Sequence, residues 1–131
     1  MIVGFTGTQK GMTENQWRVV ATLLQNLQPT ECHHGDCVGA DADFDALCHE
    51  LGLGDRIVIH PPQDSTKRAF CYATQDKRWP PKPYLVRNHD IVNCCDVLLA
   101  CPKSLKEELR SGTWATIRYA NRSSKRVEII V

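Results

Sequence analysis

Short apolar runs alternate along this chain with amphipathic stretches, the arrangement of βαβ units packed on a parallel sheet. Ile2 to Thr6 is apolar enough for a buried strand and runs into a glycine-rich turn. Thr13, with Gln16 three residues on, forms a capping-box pattern, and Trp17, Val20, Ala21, Leu24 and Leu27 recur at helical spacing until Pro29. A weaker run, Glu31 to His34, leads through a second glycine-rich turn into a helical face of Ala42, Phe44, Leu47, Cys48 and Leu51, stopped by Gly52 and Gly54. Arg56 to His60 has the continuous apolar centre, Ile57 to Ile59, of a strand covered on both faces, and Pro61 and Pro62 close it.

From Gln63 to Pro83 the chain turns polar and proline-rich, the longest irregular insertion, and such loops in compact domains serve as lids or binding loops. Tyr84 to Asn93 then reads as a helix, Asp96 to Cys101 as a strand, Gly112 to Asn121 as a helix and Arg126 to Val131 as a final strand. The pattern predicts one domain over residues 1–131: an α/β, three-layer Rossmann-like sandwich on an open five-stranded, mainly parallel sheet. Strand order is not legible at this level.

Composition narrows the function classes. With 131 residues, 42% of them hydrophobic, there is no room for a second core. Lys and Arg total 16 against 15 Asp and Glu, so no global charge draws nucleic acid or anionic lipid, and only a local basic patch can hold phosphate. Nucleic acid is therefore not expected as a partner, although Lys67, Arg68, Lys77, Arg78 and Lys82 concentrate charge in the insertion. Apolar runs such as Val97 to Cys101 fall far short of the roughly 20 residues of a membrane span. No secretory signal opens the chain, so a cytoplasmic location is expected. The odd count of seven cysteines and the lack of paired Cys-x-x-Cys spacing predict reduced thiols. Cys32-His33-His34-Gly35-Asp36-Cys37 is too short a segment to converge four tetrahedral ligands, and neither metal nor cofactor is expected.

In an open parallel sheet, ligands bind at the carboxyl ends of the strands, where βα loops and helix N-termini converge. The candidate residues fall on that edge. After the first strand, Gly7, Thr8, Gln9 and Lys10 precede a helix and can cradle phosphate, although the order of lysine and glycine is not that of a Walker A loop. After the second, His34, Gly35, Asp36, Gly39 and Asp41 bring an imidazole and two carboxylates. Asp36 suits either a ribose hydroxyl or a turn, and Asp41 either a ligand or the helix dipole. His60 is a ligand contact or a structural strand-end histidine. Arg87 offers a planar five-donor fork beside Asn88, and Arg110, Ser111, Gly112 and Thr113 open a helix as a second phosphate site. Trp79, Tyr84 and Trp114 are candidates to stack on a base or to pack.

Taken in order, Gly4-Phe5-Thr6-Gly7-Thr8, His34-Gly35-Asp36-Cys37-Val38-Gly39-Ala40-Asp41, His60-Pro61-Pro62, Arg87-Asn88 and Ser111-Gly112-Thr113-Trp114-Ala115-Thr116 resemble the SLOG superfamily. This Rossmann-like group includes Lonely Guy phosphoribohydrolases, molybdenum-cofactor carriers, the nucleotide-binding domain of DNA-processing protein A and the small single-domain YpsA-like proteins. The resemblance implies a nucleotide-derived ligand near Gly7, Thr8, Gly112 and Thr113, and a homo-oligomer. It does not imply turnover. Lonely Guy enzymes carry Pro-Gly-Gly-x-Gly-Thr-x-x-Glu, whereas here Glu108, Leu109 and Arg110 replace Pro-Gly-Gly and Thr116 replaces the glutamate. Two functions follow as expectations: a nucleotide-derivative binding protein acting as sensor, carrier or sequestering protein, and a nucleotide N-glycosidase in which Asp36 or Asp41 supplies the missing carboxylate and Arg87 or Arg110 the phosphate contact. A domain that binds a protein partner and no small ligand is the third.

Overall fold

A computed structural model describes residues 1–131. The elements are β1 (Ile2–Gly7), α1 (Glu14–Leu27), β2 (Glu31–His34), α2 (Ala40–Glu50), β3 (Ile57–Ile59), α3 (Tyr84–Cys94), β4 (Val97–Cys101), α4 (Gly112–Arg122) and β5 (Arg126–Ile129). All five strands lie in one sheet of order β3-β2-β1-β4-β5, and every neighbouring pair is parallel. Val3 of β1 sits between Cys32 of β2 and Val97 of β4. The chain winds outward from β1 to β3, then crosses back to β4 and winds the other way. With right-handed crossovers, α1 and α2 cover one face and α3 and α4 the other, which makes three layers.

The core follows from the period-two side-chain alternation of β1 and β4. Val3, Phe5, Val97 and Leu99 face α1 and α2, where they join Val20, Leu24, Phe44 and Leu47 in a cluster of 15 buried residues. The rings of Phe5 and Phe44 stack at 4.3 Å between centroids. Each fully buried side chain of this size contributes roughly 1.5–3 kcal/mol. On the opposite face, Leu98 meets Ile91 and Val92 of α3 and Ala120 of α4.

The helix α1 begins where the capping box predicts: Gln16 N donates to Thr13 Oγ1 at 3.1 Å and Thr13 N to Gln16 Oε1 at 2.9 Å. Gln16 is buried because its amide also donates to the carbonyls of Pro102 and Ile130, which ties α1 to the ends of β4 and β5. The strands β3, β4 and β5 are shorter than the apolar runs suggest, whereas β2 matches its run and β1 extends one residue further, to Gly7. Asp96 stays outside β4 and accepts from Ile2 N at 2.7 Å. Arg56 belongs to a 3-10 turn (Gly54–Arg56) ahead of β3.

The insertion between β3 and α3 is ordered by hydrogen bonds rather than by regular structure. It holds two 3-10 turns, Ser65–Lys67 and Gln75–Lys77, and touches the body of the fold through isolated bridges of Arg68 to Cys37, Arg78 to Ile59 and Lys82 to Pro62. No helix is long and apolar enough to cross a membrane.

Candidate functional site

The winding direction reverses between β1 and β4, and a cleft of about 660 Å³ opens near their carboxyl ends. Of the residues singled out above, Gly7, Thr8, Gln9, Lys10, Gly35, Asp41, Arg87, Asn88, Arg110, Ser111, Gly112 and Thr113 line it. Five turns that are far apart in the chain converge there because parallel strands deliver all their exits to one edge. Lys10, Lys67, Arg87, Lys103 and Arg110 face Asp41, Asp64 and Glu108 in the lining, so the cleft is positive on balance. The helices α3 and α4 also start at it, through Tyr84 and Gly112, and the first amides of a helix have no intrahelical acceptor. Ser111 caps α4 by accepting from Trp114 N at 3.3 Å.

The first loop differs from expectation in one respect. The start of α1 is turned away, with Met12 N donating to Asp43 Oδ2 at 2.8 Å, so the loop alone and not the helix end reaches the cleft. This loop rests on the start of α2: Ala40 N donates to Thr8 O at 3.0 Å. A Cβ at Gly7 would lie 2.5 Å from Ala40 Cβ. Gly39 has φ 96° and ψ −129°, a conformation open to glycine, and a Cβ there would fall on the Gln9 carbonyl. Gly39 therefore shapes the cleft without lining it.

Asp36, His34 and His60 lie beneath the cleft rather than in it. Asp36 is fully buried at φ 55°. Its carboxylate accepts from Arg68 Nε at 2.6 Å and from Cys71 N at 2.8 Å, so it anchors the insertion and has no face for a ribose. His34 accepts from Asp36 N at Nδ1, 2.9 Å, and donates from Nε2 to Asp45 Oδ2, 2.8 Å. His60 Nε2 lies 2.8 Å from His33 Nδ1, and its ring packs on Trp79 with centroids 4.4 Å apart. Burial, with His33 next in effect, holds His60 down at about 3, so it is neutral. Trp79 is likewise packing and lies off this cleft, whereas Tyr84 and Trp114 line it.

The floor of the cleft is the Asp41–Arg87–Cys37 group. Arg87, from the first turns of α3, is 5% exposed and donates to the carbonyls of Gly35 and His60 and to Cys37 Sγ. Asp41, in the first turn of α2, accepts from Cys37 N at 3.2 Å. Burial pushes the Asp41 carboxyl above the ordinary carboxylate range, although the Arg87 charge beside it pulls the other way. Burial likewise raises the Cys37 thiol against the pull of Arg87. The result is a carboxyl that gives up its proton less readily than an ordinary one, beside a fixed cation.

Cys37, Asp64, Lys103 and Glu108 also line the cleft, although the sequence did not mark them as ligand contacts. Lys103 and Glu108 follow β4 directly, and the rule that placed Arg110 at that edge applies to them equally. Comparison of the chain with models of known families, with curated proteins and with solved structures found no match.

Proposed function

We propose that the cleft binds a nucleotide or nucleotide-derived small molecule, and that the protein acts as a sensor, carrier or sequestering protein for it. The observation that carries this reading is the pairing, across one cleft, of the Gly7–Lys10 loop with the capped start of α4 at Ser111–Thr113. Orphan amides, hydroxyls and Arg110 meet there, a set of donors suited to an anionic phosphate. Tyr84 and Trp114 supply aromatic faces within the same lining for a base. The resemblance of the ordered motifs to the SLOG superfamily points to the same ligand class. Self-association belongs to this reading, supported by Leu105 and Leu109, which are 66% and 86% exposed on the β4–α4 loop beside the cleft.

The test is a melting-shift screen over mononucleotides, dinucleotides, cyclic nucleotides and ADP-ribose derivatives. A ligand at about 100 times its Kd stabilises the native state by roughly 2.7 kcal/mol. Thr113→Val and Arg110→Ala should each weaken a hit about tenfold, the loss of one charge-assisted or hydroxyl contact. Absence of any shift from a phosphate-bearing compound, with a protein partner retained, selects the partner-binding domain instead.

The raised Asp41 carboxyl, which lines the cleft, supports a second reading as a nucleotide N-glycosidase. A carboxyl whose affinity for its proton is raised by burial is suited to pass that proton to a departing base, a role Asp36 cannot take from beneath the cleft. Release of free base from a nucleoside 5′-monophosphate, lost in Asp41→Asn, is the outcome that selects it.

A further inference from the structure

We propose that His33, His60 and Cys94 form a binding site for a borderline divalent transition ion, Zn²⁺ foremost, outside the cleft described above. The three residues come from β2, the end of β3 and the last residue of α3, and one ligand atom from each lies within 4.8 Å of the others. None of them lines the large cleft; His33 and Cys94 instead line a separate hollow of about 440 Å³ with Glu31 and Trp79, which gives an ion a way in.

Hydrogen bonding decides which imidazole nitrogens are free to ligate. Glu31 Oε1 lies 2.8 Å from His33 Nε2, and as an acceptor it holds the ring proton there. The His33 Nδ1 lone pair is thereby aimed at His60. This is the carboxylate–histidine arrangement that orients metal-bound imidazoles, with Glu31 as the positioning residue. His60 Nε2 lies 2.8 Å from that lone pair, while His60 Nδ1 is buried with no hydrogen-bond partner. The bond that His60 Nε2–H donates to His33 Nδ1 is thus the one contact that sets the His60 tautomer, and an ion between the two rings replaces it. On metal binding the His60 proton moves from Nε2 to Nδ1, and both facing nitrogens become donors of lone pairs. Cys94 gives its thiol proton to solvent and binds as thiolate, so one proton is released for each ion bound. Zn–N bonds of about 2.0–2.1 Å place tetrahedral nitrogens roughly 3.3 Å apart, so the two rings need to part by about half an ångström and to turn until their lone pairs meet at the ion. A fourth position is left toward the hollow.

The same reasoning rejects the neighbouring cluster of His34, Asp45 and Cys71, which is equally close-set. There Asp36 N donates to His34 Nδ1, so the ring proton is fixed on Nε2, the atom that faces Asp45. An ion at Nε2 would force a proton onto Nδ1 against the Asp36 amide. The His60 proton can move to an Nδ1 that no donor occupies, whereas the His34 proton would have to move to an Nδ1 that the Asp36 amide already fills.

The experiment uses the full chain stripped with a chelator, then titrated with Co²⁺ and Zn²⁺. The expected result is one equivalent of bound metal and a thiolate-to-cobalt charge-transfer band that is lost in Cys94→Ser and kept in Cys71→Ser. Glu31→Gln, changed at a side chain 47% exposed, leaves the fold intact and should weaken affinity about tenfold to a hundredfold. A band that survives Cys94→Ser, a band lost in Cys71→Ser, unchanged affinity in Glu31→Gln, or no stoichiometric metal would overturn the assignment. If Cys94→Ser fails to fold, the Glu31→Gln affinity decides alone.

Discussion

The Asp36 carboxylate meets Arg68 Nε at 2.6 Å, joining a turn at the end of β2 to the insertion that follows β3. Two further bonds reinforce it, from Cys71 N to Asp36 Oδ1 and from Ala69 N to Asp36 O, both 2.8 Å. The buried Asp36 side chain thus adds to the backbone bridges that hold a loop of polar composition against the wall of the cleft, and Lys67 next to Arg68 is brought into the lining.

Asp36→Ala should therefore free the insertion as well as destabilise the fold. Removing one partner of a buried pair costs about 3–5 kcal/mol, and with Arg68 partly exposed the lower end applies. Limited proteolysis should cut between residues 63 and 83 in the variant far faster than in the parent. Equal cleavage rates would show that the pair does not hold the loop.

Two glycines of positive φ separate strain from collision. At Gly52, φ is 76° and an added Cβ meets nothing within 4 Å, so Gly52→Ala should cost about 1–2 kcal/mol of backbone strain alone. At Gly39 the same change adds a clash with the Gln9 carbonyl and should cost more, with ligand-induced melting shifts reduced because the phosphate loop is displaced. Denaturant midpoints of the two variants check the order.

Arg87 holds three acceptors at once, so it is a structural member of the cleft floor as well as a cation in it. Arg87→Ala should lose about 3 kcal/mol or more, since each hydrogen bond to a charged group is worth roughly 1.5–3 kcal/mol. Arg87→Lys keeps the charge but not the fork, and should recover only part of the loss. Urea unfolding of the three proteins gives the ranking.

Asp41 gives a pH dependence of definite sign. Its carboxyl is raised in the folded protein above 3.8, so over the window above that value the native state holds a proton that the unfolded chain has released. Stability contributed by this group therefore falls as pH rises through the window. Asp41→Asn lacks the effect, and its stability relative to the parent should improve as the pH rises above the ordinary carboxylate range. A constant difference as the pH rises would contradict the raised value.

Much of the architecture was legible in the chain because local rules and the global fold agree. Thr13 and Gln16 announce the start of α1, Pro29 its end, and the uninterrupted Ile57–Ile59 run a strand buried on both faces. The edge of the sheet that carries the glycine-rich turns was legible too, since parallel strands send every exit the same way. Less legible was which residue on that edge faces inward. Asp36 and Asp41 lie five positions apart in one glycine-rich segment, yet one is sealed under the insertion and the other looks into the cleft. Asp36 takes its place from a left-handed backbone at φ 55° and from Arg68, which lies 32 residues away.

Hydrophobic spacing and turn chemistry thus set the element order, the layers and the strand edge at which βα turns gather, because these depend on neighbours within a few positions. Tertiary structure alone decided the strand order, the burial of Asp36, His34 and His60, the raised Asp41 carboxyl and the meeting of His33 with His60 and Cys94. Each of these depends on desolvation or on a partner brought from a distant segment, and neither is encoded in the spacing of a single stretch of chain.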